Sequence, residues 1–495
     1  MGVGLFCLLP CINEIRVLFW RLCFHRLGLI SISFVCYSNN TTPDRREKAF
    51  AETPFAAKGI VPFSDAETDS IPAQEDTTQM EPTAIRYGVP APAVSDSGIV
   101  CESAGGTVIG RYEHTAQSDF AAYSAALRSA GYQIYDENEI DRNRFATFYK
   151  GDTAVYAAWF SRTGSLRVIA EPKGTLPPLT DTTEGAFDTL LTGMKGETVI
   201  AAEGMGYIIR LCDGSFLIID GGMGDPDRVD ADKLMDILLS QKPAGAEKPV
   251  IAAWIFTHLH GDHIGVFNCF SLAHHDDVVL ERLYFNYPKE EETAASDSPY
   301  MLDDSIYRYT QFKKNLADFY ADVPVVKPHS GSRFAVRNAS FEVLYAYDDL
   351  YPETILNGGM NESSLLQKMT IDGQSILWTG DLAFHATDLV LREYESALQS
   401  DILQLAHHGM NGTAALYSAV DPTFALLPVW EGGLSFVLQK PQNQWLQSSE
   451  KMQQMIATCC GTWTIKLPYH PAPGSFERIP TKDTVYPTYP DLLGG

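Results

Sequence analysis

The 495-residue sequence has no internal repeat of fixed period, which excludes the solenoid and propeller architectures that such repeats build. Basic side chains are also few, since 37 Lys and Arg stand against 62 Asp and Glu, a formal net charge of −25. Nonspecific nucleic-acid binding depends on cationic side chains that meet phosphates. We therefore expect no strong binding of long DNA or RNA.

The spacing of the cysteines and the length of the apolar runs exclude small metal- or disulfide-stabilised folds and a membrane-spanning helix in the stretch 27–37. The nine cysteines lack the spacing of a zinc ribbon or a disulfide framework. The uncharged stretch 27–37 falls short of the roughly 20 residues that a membrane-spanning helix needs. Residues 1–37 are an apolar and basic leader, which is either an export or anchoring segment or an extension that never packs. Localisation is thus cytoplasmic, or exported or anchored through this leader, and membrane contact is expected only there.

Composition divides the remaining chain into three parts. Residues 38–86 are rich in Thr, Pro, Asp and Glu with few large apolar side chains, which predicts a flexible linker. Residues 87–172 predict a small α+β appendage domain with one helix capped by Ser118. Its expected strands are residues 107–112, 144–149, 154–160 and 166–170. Over 184–480, short apolar strands alternate with helical stretches, which predicts an α/β domain of layered sheets and helices.

The strongest chemical signal follows the expected strand 251–256 and reads Thr-His-Leu-His-Gly-Asp-His over 257–263. In extended backbone, the side chains of His258 and His260 can point in the same direction. Those of Asp262 and His263 then point toward a second metal position. Neutral imidazole and carboxylate are suitable ligands for zinc and comparable divalent ions. The segment therefore predicts a metal site rather than a set of core histidines.

This segment resembles the H-x-H-x-D-H signature of the metallo-β-lactamase superfamily, and further stretches match in the same chain order. The resemblance implies an α/β fold, a metallo-β-lactamase-like αββα sandwich preceded by the small α+β domain. It also implies that Asp220, after strand 216–219, orients metal ligands and that Asp381, in a Thr-Gly-Asp sequence, bridges two ions. A His from the His-His-Gly sequence completes the second ion site, with His407 preferred and His408 as the alternative. The implied metal ligands are His258, His260, Asp262, His263, Asp381 and His407.

One position departs from the superfamily pattern. Most members place another His about twenty residues before the bridging Asp, whereas Asn361 lies in that neighbourhood here. An Asn followed by Thr-Gly-Asp and His-His-Gly resembles the bacterial competence-type, or ComEC-like, branch. An amide oxygen is a poorer zinc ligand than imidazole, so the first ion site either binds weakly, uses water or prefers manganese.

The expected function is hydrolysis by a metal-activated water, with one or two Zn²⁺ ions or, alternatively, Mn²⁺. Asp262 and Asp381 are expected to position the nucleophile and accept its proton. No residue is assigned to an organic cofactor. The first substrate hypothesis is a phosphodiester or another small anionic molecule. The alternatives are an acyl substrate, namely a lactone, thioester or β-lactam, and a noncatalytic metal-binding module.

The two substrate classes predict different surroundings for the metal ions. A phosphate substrate requires Lys or Arg nearby, whereas an acyl substrate requires an apolar pocket. Lys327, Arg333 and Arg337 are the candidate phosphate-binding side chains. The simpler interpretation of these three residues is that they are solvated surface charges.

Overall fold

The computed structural model describes residues 19–24, 30–35, 84–95, 98–197, 204–224, 227–296, 302–353 and 359–492. The predicted linker up to residue 83 and most of the predicted leader lie outside these ranges. The chain divides into two compact units, Met1–Gln74 and Glu75–Gly495. In the first unit, β1 (Phe19–Phe24) and β2 (Ile30–Val35) form an antiparallel pair. No helix in the described ranges combines the length and the apolar character needed to cross a bilayer.

The second unit begins with a small α+β region. Its elements are β3 (Ala84–Ile85), β4 (Val89–Pro90), β5 (Ile99–Glu102), β6 (Val108–Tyr112), α1 (Gln117–Ser129), β7 (Gln133–Ile140), β8 (Asn143–Lys150), β9 (Thr153–Phe160) and β10 (Ser165–Pro172). Six strands form an antiparallel sheet in the order β5-β6-β10-β9-β8-β7, and the apolar face of α1 packs against it through Phe120, Tyr123 and Leu127. The cap prediction at Ser118 is wrong. Asp119 instead accepts a hydrogen bond from the Ala116 amide at 2.7 Å.

The rest of the unit contains fifteen strands and nine helices that the described residues define. They are β11 (Leu190–Gly193), β12 (Gly206–Arg210), β13 (Phe216–Asp220), α2 (Val229–Gln241), β14 (Val250–Ile255), α3 (Gly261–His274), β15 (Val279–Leu280), β16 (Leu283–Tyr284), α4 (Glu290–Ser296), α5 (Leu302–Phe319), β17 (Val325–Val326), β18 (Arg333–Val336), β19 (Ala339–Tyr345), β20 (Leu366–Ile371), β21 (Gln374–Trp378), α6 (Phe384–Glu393), β22 (Ile402–Gln404), α7 (Ala414–Val420), β23 (Phe424–Leu427), α8 (Leu434–Leu438), α9 (Pro441–Ser448), β24 (Gln454–Ala457), β25 (Trp463–Lys466) and α10 (Tyr489–Leu492).

These strands form two sheets. One has the order β17-β16-β14-β13-β12-β11-β25, with β15 also paired to β14, and the other has the order β18-β19-β20-β21-β22-β23-β24. In each sheet the central strands that precede the candidate ligands run parallel to a neighbour, as β13 does to β14 and β21 to β22. Parallel neighbours end at the same edge, so the loops that follow them are brought together.

Side-chain alternation along the strands produces four layers. On β13, Leu217 and Ile219 enter a core shared by the two sheets, where the Tyr207 and Trp378 rings lie 5.1 Å apart. The alternate residue Ile218 faces a second core together with residues of α2, α3 and α5, and the other sheet is covered in the same way by α6, α7 and α9. Strand residues are buried on both faces of each sheet, because one face packs against the other sheet and the opposite face is covered by helices. The predicted fold class, an αββα sandwich preceded by a small α+β domain, is confirmed.

The six-stranded sheet packs against loops of the sandwich, a contact that we call the sheet–sandwich interface. It combines apolar contacts with several buried charges. Arg167 of β10 forms an ion pair with Asp349, and both side chains are at most 4% exposed. His329 lies between Glu171 and Asp348, with its Nε2 3.0 Å from one carboxylate and its Nδ1 2.6 Å from the other. Since buried charges are costly unless they are paired, these pairs fix how the two parts meet.

The three basic residues considered as phosphate ligands are engaged by carboxylates. Lys327 binds Glu171 at 2.9 Å, Arg333 pairs with Asp136, and Arg337 binds both Asp213 and Glu281. Lys327 and Arg337 have side chains only 25% and 17% exposed, so the simpler interpretation as solvated charges is wrong for these two. Their role is to join chain segments.

The buried His329 pair predicts a pH dependence of stability. Burial opposes the charged form, but Glu171 and Asp348 outweigh it and raise the pKa of His329 above 6.5. His329 in turn holds the pKa of both carboxyls below 4.5 and 3.8 despite their burial. Glu171 and Asp348 contribute fully to the free energy of unfolding at pH values above the carboxyl pKa of the unfolded chain. His329 contributes fully below pH 6.5, and its contribution is lost as the pH rises through its pKa in the folded state.

We therefore expect the free energy of unfolding that His329→Gln removes to be largest between about pH 4.5 and 6.5. The difference between wild type and variant should shrink above and below this window, as measured by chemical denaturation at several pH values. The matched control is His275→Gln, the same change at a partly exposed residue next to α3 and outside this interface, and we expect it to remove less free energy of unfolding than His329→Gln does. A His329→Gln difference that stays constant from pH 5 to pH 9 would show that the pair is not charged.

Candidate metal centre

The candidate ligands lie on loops that follow strands at one edge of the two sheets. Asp220 ends β13, and the His258–His263 segment follows β14 and enters α3. Asp381 follows β21, and His408 follows β22. The structure brings these segments together although up to 188 residues separate them in the chain (408 − 220). The predicted convergence is therefore present.

Two groups of potential ligand atoms share Asp381. The first comprises His258, His260 and Asp381, and the second comprises Asp262, His263, Asp381 and His408. Within the first, His258 Nε2 lies 3.0 Å from His260 Nδ1 and 3.8 Å from Asp381 Oδ2. Within the second, His263 Nε2 lies 3.2 Å from Asp381 Oδ1, and His408 Nε2 lies 3.6 Å from Asp381 Oδ2. A shared carboxylate between two groups is the arrangement of a two-ion site.

Buried atoms without partners show that the site fits a metal ion. Both carboxylate oxygens of Asp381 and Nε2 of His263 are buried and make no hydrogen bond within the described part of the chain. Two ligands at about 2.1 Å from one ion lie about 3.0–3.4 Å apart in octahedral or tetrahedral geometry. The separations of 3.0 to 3.8 Å given above are close to these values. The donors are imidazole nitrogen and carboxylate oxygen, which suit zinc, manganese and iron.

Asp220 sets the orientation of two imidazoles. Its Oδ2 lies 2.7 Å from His263 Nδ1 and accepts a 2.7 Å hydrogen bond from the Thr257 hydroxyl. Because that hydroxyl donates to Asp220, its oxygen is available to accept from His258 Nδ1 at 3.2 Å. Both rings therefore carry their proton on Nδ1, and both Nε2 lone pairs face Asp381. These contacts are the ones that Asp220 needs in order to orient the two imidazoles, which is the role predicted for it.

Charge favours cation binding at this site. Burial and His263 lower the pKa of His258 well below 6.5, which keeps its imidazole neutral. Burial alone would raise the pKa of Asp381, but His263 and His408 outweigh it and hold this pKa well below its usual value. For His263, Asp381 and Asp262 outweigh burial and raise the pKa, so an ion that binds Nε2 has to displace the proton that these carboxylates otherwise favour there. Buried carboxylates close to imidazoles bind divalent cations well, because the ion neutralises charges that water cannot reach.

Asp381 is held by contacts that the sequence did not indicate. Gln404 accepts a hydrogen bond from the Thr379 amide at 2.9 Å and donates to the Gly380 carbonyl at 3.1 Å. The Asp381 amide donates to the Ser364 hydroxyl at 3.0 Å. Gly380 has a φ of +52°, and a Cβ there would lie 2.8 Å from Thr257, so only glycine lets the two ligand loops approach. No local pattern in the sequence marks this role of Gln404.

The two adjacent histidines occupy different positions. His408 Nδ1 lies 2.7 Å from the Pro428 carbonyl, and its Nε2 contacts Asp262 Oδ2 at 2.9 Å. His407 Nε2 is 3.8 Å from Asp381 Oδ2, and its side chain is 26% exposed, but it belongs to neither group of potential ligands that the described residues form. Both residues have φ near +50°, a conformation that is costly for non-glycine residues and is concentrated at functional sites. The geometry thus places His408 in the second group of potential ligands and the partly exposed His407 at the edge of the site, which we call its mouth.

This difference predicts unequal effects of two alanine substitutions. We expect His408→Ala to weaken metal binding by at least about 10–100-fold, because one of the second ion's donors is lost. We expect His407→Ala to change affinity by less than about threefold while it alters turnover at the mouth of the site. Metal affinity measured by competition with a chromophoric chelator checks both variants. Stronger metal loss in His407→Ala would reverse the assignment and restore the preference drawn from the sequence.

Asn361 and two histidines outside the ligand segments make other contacts. Asn361 Nδ2 is 3.4 Å from His407 Nδ1, and the buried Asn361 Oδ1 has no hydrogen-bond partner in the described ranges, so an amide oxygen is available beside His407. His385 contacts Glu362 at 3.0 Å and is largely exposed. His274, at the end of α3, contacts Asp232 and Asp277.

No protein-family model matches this sequence, and no curated protein matches it. Several solved structures are similar. The metallo-β-lactamase fold protein YhfI from Bacillus subtilis is 14% identical over 55% of this chain and 96% of its own, with a TM-score of 0.31. CmlA, a diiron β-hydroxylase from Streptomyces venezuelae, is 12% identical over 72% of this chain and 79% of its own, with a TM-score of 0.32. A β-lactamase domain protein from Burkholderia ambifaria is 17% identical over 42% of this chain and 61% of its own, with a TM-score of 0.24.

Proposed function

We propose that the protein is a metal-dependent hydrolase with a two-ion site. The observation that carries the proposal is the sharing of the buried, unpartnered Asp381 carboxylate by two groups of imidazole and carboxylate donors. His258 and His260 would hold one ion, with the Asn361 oxygen proposed as a further ligand, and Asp262, His263 and His408 would hold the other. We infer Zn²⁺ as the ion at both positions, with Mn²⁺ as the alternative where Asn361 replaces an imidazole.

Bound divalent ions supply a water of lowered pKa and polarise the bond under attack. The chain's own residues divide the remaining tasks. The Asp262 side chain is 12% exposed and that of Asp381 is 1% exposed, so Asp262 is the carboxylate that a water molecule can reach. We assign proton acceptance to Asp262 and a purely bridging role to Asp381. His407, at the mouth, can contact the substrate.

For the substrate, we propose a small phosphodiester and membership of the ComEC-like branch. Support comes from the two donor groups that share Asp381, since paired ions suit in-line displacement at phosphorus. Asn361, Thr-Gly-Asp and His-His-Gly in that order give the resemblance to the branch. A second candidate, an acyl substrate, is favoured by a different observation. Lys327, Arg333 and Arg337 are all paired with carboxylates and are not free to bind phosphate.

An activity panel on the full chain tests the proposal. Protein stripped with a chelator and reloaded with Zn²⁺ or Mn²⁺ is assayed with bis(p-nitrophenyl) phosphate, a lactone, a thioester and nitrocefin. We expect turnover of the phosphodiester only in the reloaded protein. Turnover of the acyl substrates alone would show that the protein is an acyl hydrolase, the second candidate. Tight metal binding without turnover of any substrate would support a noncatalytic metal-binding module instead.

A further inference from the structure

A cavity that is separate from the residues of the metal centre lies at the sheet–sandwich interface. Its volume is about 400 Å³, within the range of small-molecule sites. The α+β region provides one wall, including Tyr156 and Glu171, and the sandwich provides the other, including Phe285, Phe312 and Leu316. None of the proposed metal ligands lines it. The cavity is therefore a candidate site with its own chemistry.

The cavity lies along the same sheet edge as the metal centre. The Phe256 amide donates to the Tyr284 carbonyl at 2.9 Å, so β14 and β16 end side by side. Beyond β14 the chain continues into the His258 loop, whereas beyond β16 it continues into residues 285–287, which line the cavity. This is the edge at which layered α/β sheets bind their ligands.

Two residues that line the cavity each carry a buried polar atom with no hydrogen-bond partner within the described residues. The Asn286 side-chain nitrogen donates to the Pro328 carbonyl at 2.8 Å and to Asp348 at 2.6 Å, so its amide orientation is fixed by two acceptors. Its Oδ1 is left unpaired although the residue is only 3% exposed. The hydroxyl of Tyr287, a residue 6% exposed, is also unpaired. Unpaired buried polar atoms are rare and costly, and a ligand that donates a hydrogen bond would satisfy Asn286 Oδ1.

The charges of the lining cancel one another. Lys327 binds Glu171 at 2.9 Å, and Glu171 also contacts His329. Lys313 binds Glu290 at 2.5 Å and lies 4.4 Å above the Tyr309 ring. A charged ligand would have to displace one of these partners, whereas a neutral aromatic ring can pack against the aromatic wall without doing so.

We propose that this cavity binds a small uncharged aromatic molecule that carries an N–H or O–H donor. The donor bonds to Asn286 Oδ1, the ring packs among Phe285, Tyr287 and Phe312, and the occupant contacts both sides of the sheet–sandwich interface. The site is independent of the metal chemistry, so the hydrolase proposal stands or fails separately.

The test is a titration of the metal-free and metal-loaded full chain with indole, followed by ligand-observed NMR. We expect a Kd of about 1 mM or tighter. N-methylindole, which lacks the donor, should bind at least about fivefold more weakly, as should the anion indole-3-acetate. Equal or tighter binding of N-methylindole would overturn the role of Asn286. Tighter binding of the anion would overturn the neutral assignment, and absence of indole binding would overturn the site.

Two matched substitutions locate the binding. Leu316→Trp fills the cavity from α5, and we expect it to weaken indole binding at least about tenfold. Leu272→Trp makes the same change at a residue of α3 that is 47% exposed and outside the lining, and we expect no effect. Unchanged indole affinity in a folded Leu316→Trp protein would place the ligand elsewhere and overturn the proposal. If this variant does not fold, the comparison of indole with N-methylindole on wild type still decides it.

Discussion

Asp381→Asn is expected to abolish two-ion binding and to reduce turnover by about 10²–10³-fold or more, the loss found when a preorganised charge-stabilising group is removed. The substitution keeps the side-chain volume but removes the negative charge that both donor groups share. One amide oxygen remains, and it is a poorer ligand than a carboxylate. Metal content after dialysis and kcat on the active substrate of the panel measure the two effects.

The matched control is Asp388→Asn, the same chemical change at an exposed position of α6 seven residues later (388 − 381). We expect full metal content and unchanged turnover in that variant. Retention of two ions and of wild-type turnover by a folded Asp381→Asn protein would contradict the bridging role. Loss of one ion with retained turnover would reduce the mechanism to a single ion.

Arg167→Met is expected to lower the free energy of unfolding by about 3–5 kcal/mol, because it leaves the Asp349 carboxylate buried without its partner. Both side chains are at most 4% exposed, and Arg167 also lies 5.6 Å from the Phe160 ring. Burial lowers the pKa of Arg167 to about 10, so it stays charged at neutral pH. Chemical denaturation measures the loss.

Two variants separate the buried charge from other effects of this substitution. Arg167→Met combined with Asp349→Asn removes both charges, and we expect it to recover most of the lost free energy. Arg128→Met breaks an exposed ion pair with Glu137, for which we expect a loss of at most about 1 kcal/mol. A double variant as unstable as Arg167→Met alone would show that packing, not charge, accounts for the effect.

In the six-stranded sheet, the four strands predicted from apolar alternation are present, and the two strands that were not predicted are its edges. β5 (Ile99–Glu102) and β7 (Gln133–Ile140) pair on one side only. β7 contains Asp136, Glu137 and Glu139, and its exposed face removes the alternation that marks a buried strand. Charged edge strands prevent sheet-to-sheet association, so the feature that protects the fold also conceals the strand from a sequence pattern.

The ligands that lie close together in sequence were predictable. Ligands whose direction depends on the local backbone conformation were less so. His258, His260, Asp262 and His263 have a spacing that points to their chemistry, and the structure gathers them. Which of His407 and His408 faces the ions depends on two consecutive residues at positive φ, which composition does not reveal. The Glu171–His329–Asp348 interaction joins residues up to 177 positions apart (348 − 171), so no local signal exists for it.

Whether two ions share Asp381 can be seen by anomalous diffraction from crystals grown with Zn²⁺. We expect two peaks in each chain, one among His258, His260 and Asp381 and the other among Asp262, His263, Asp381 and His408. Their separation should be about 3.5–4 Å. Absence of any peak at Asp381, or zinc bound only elsewhere on the chain, would show that Asp381 does not hold two ions.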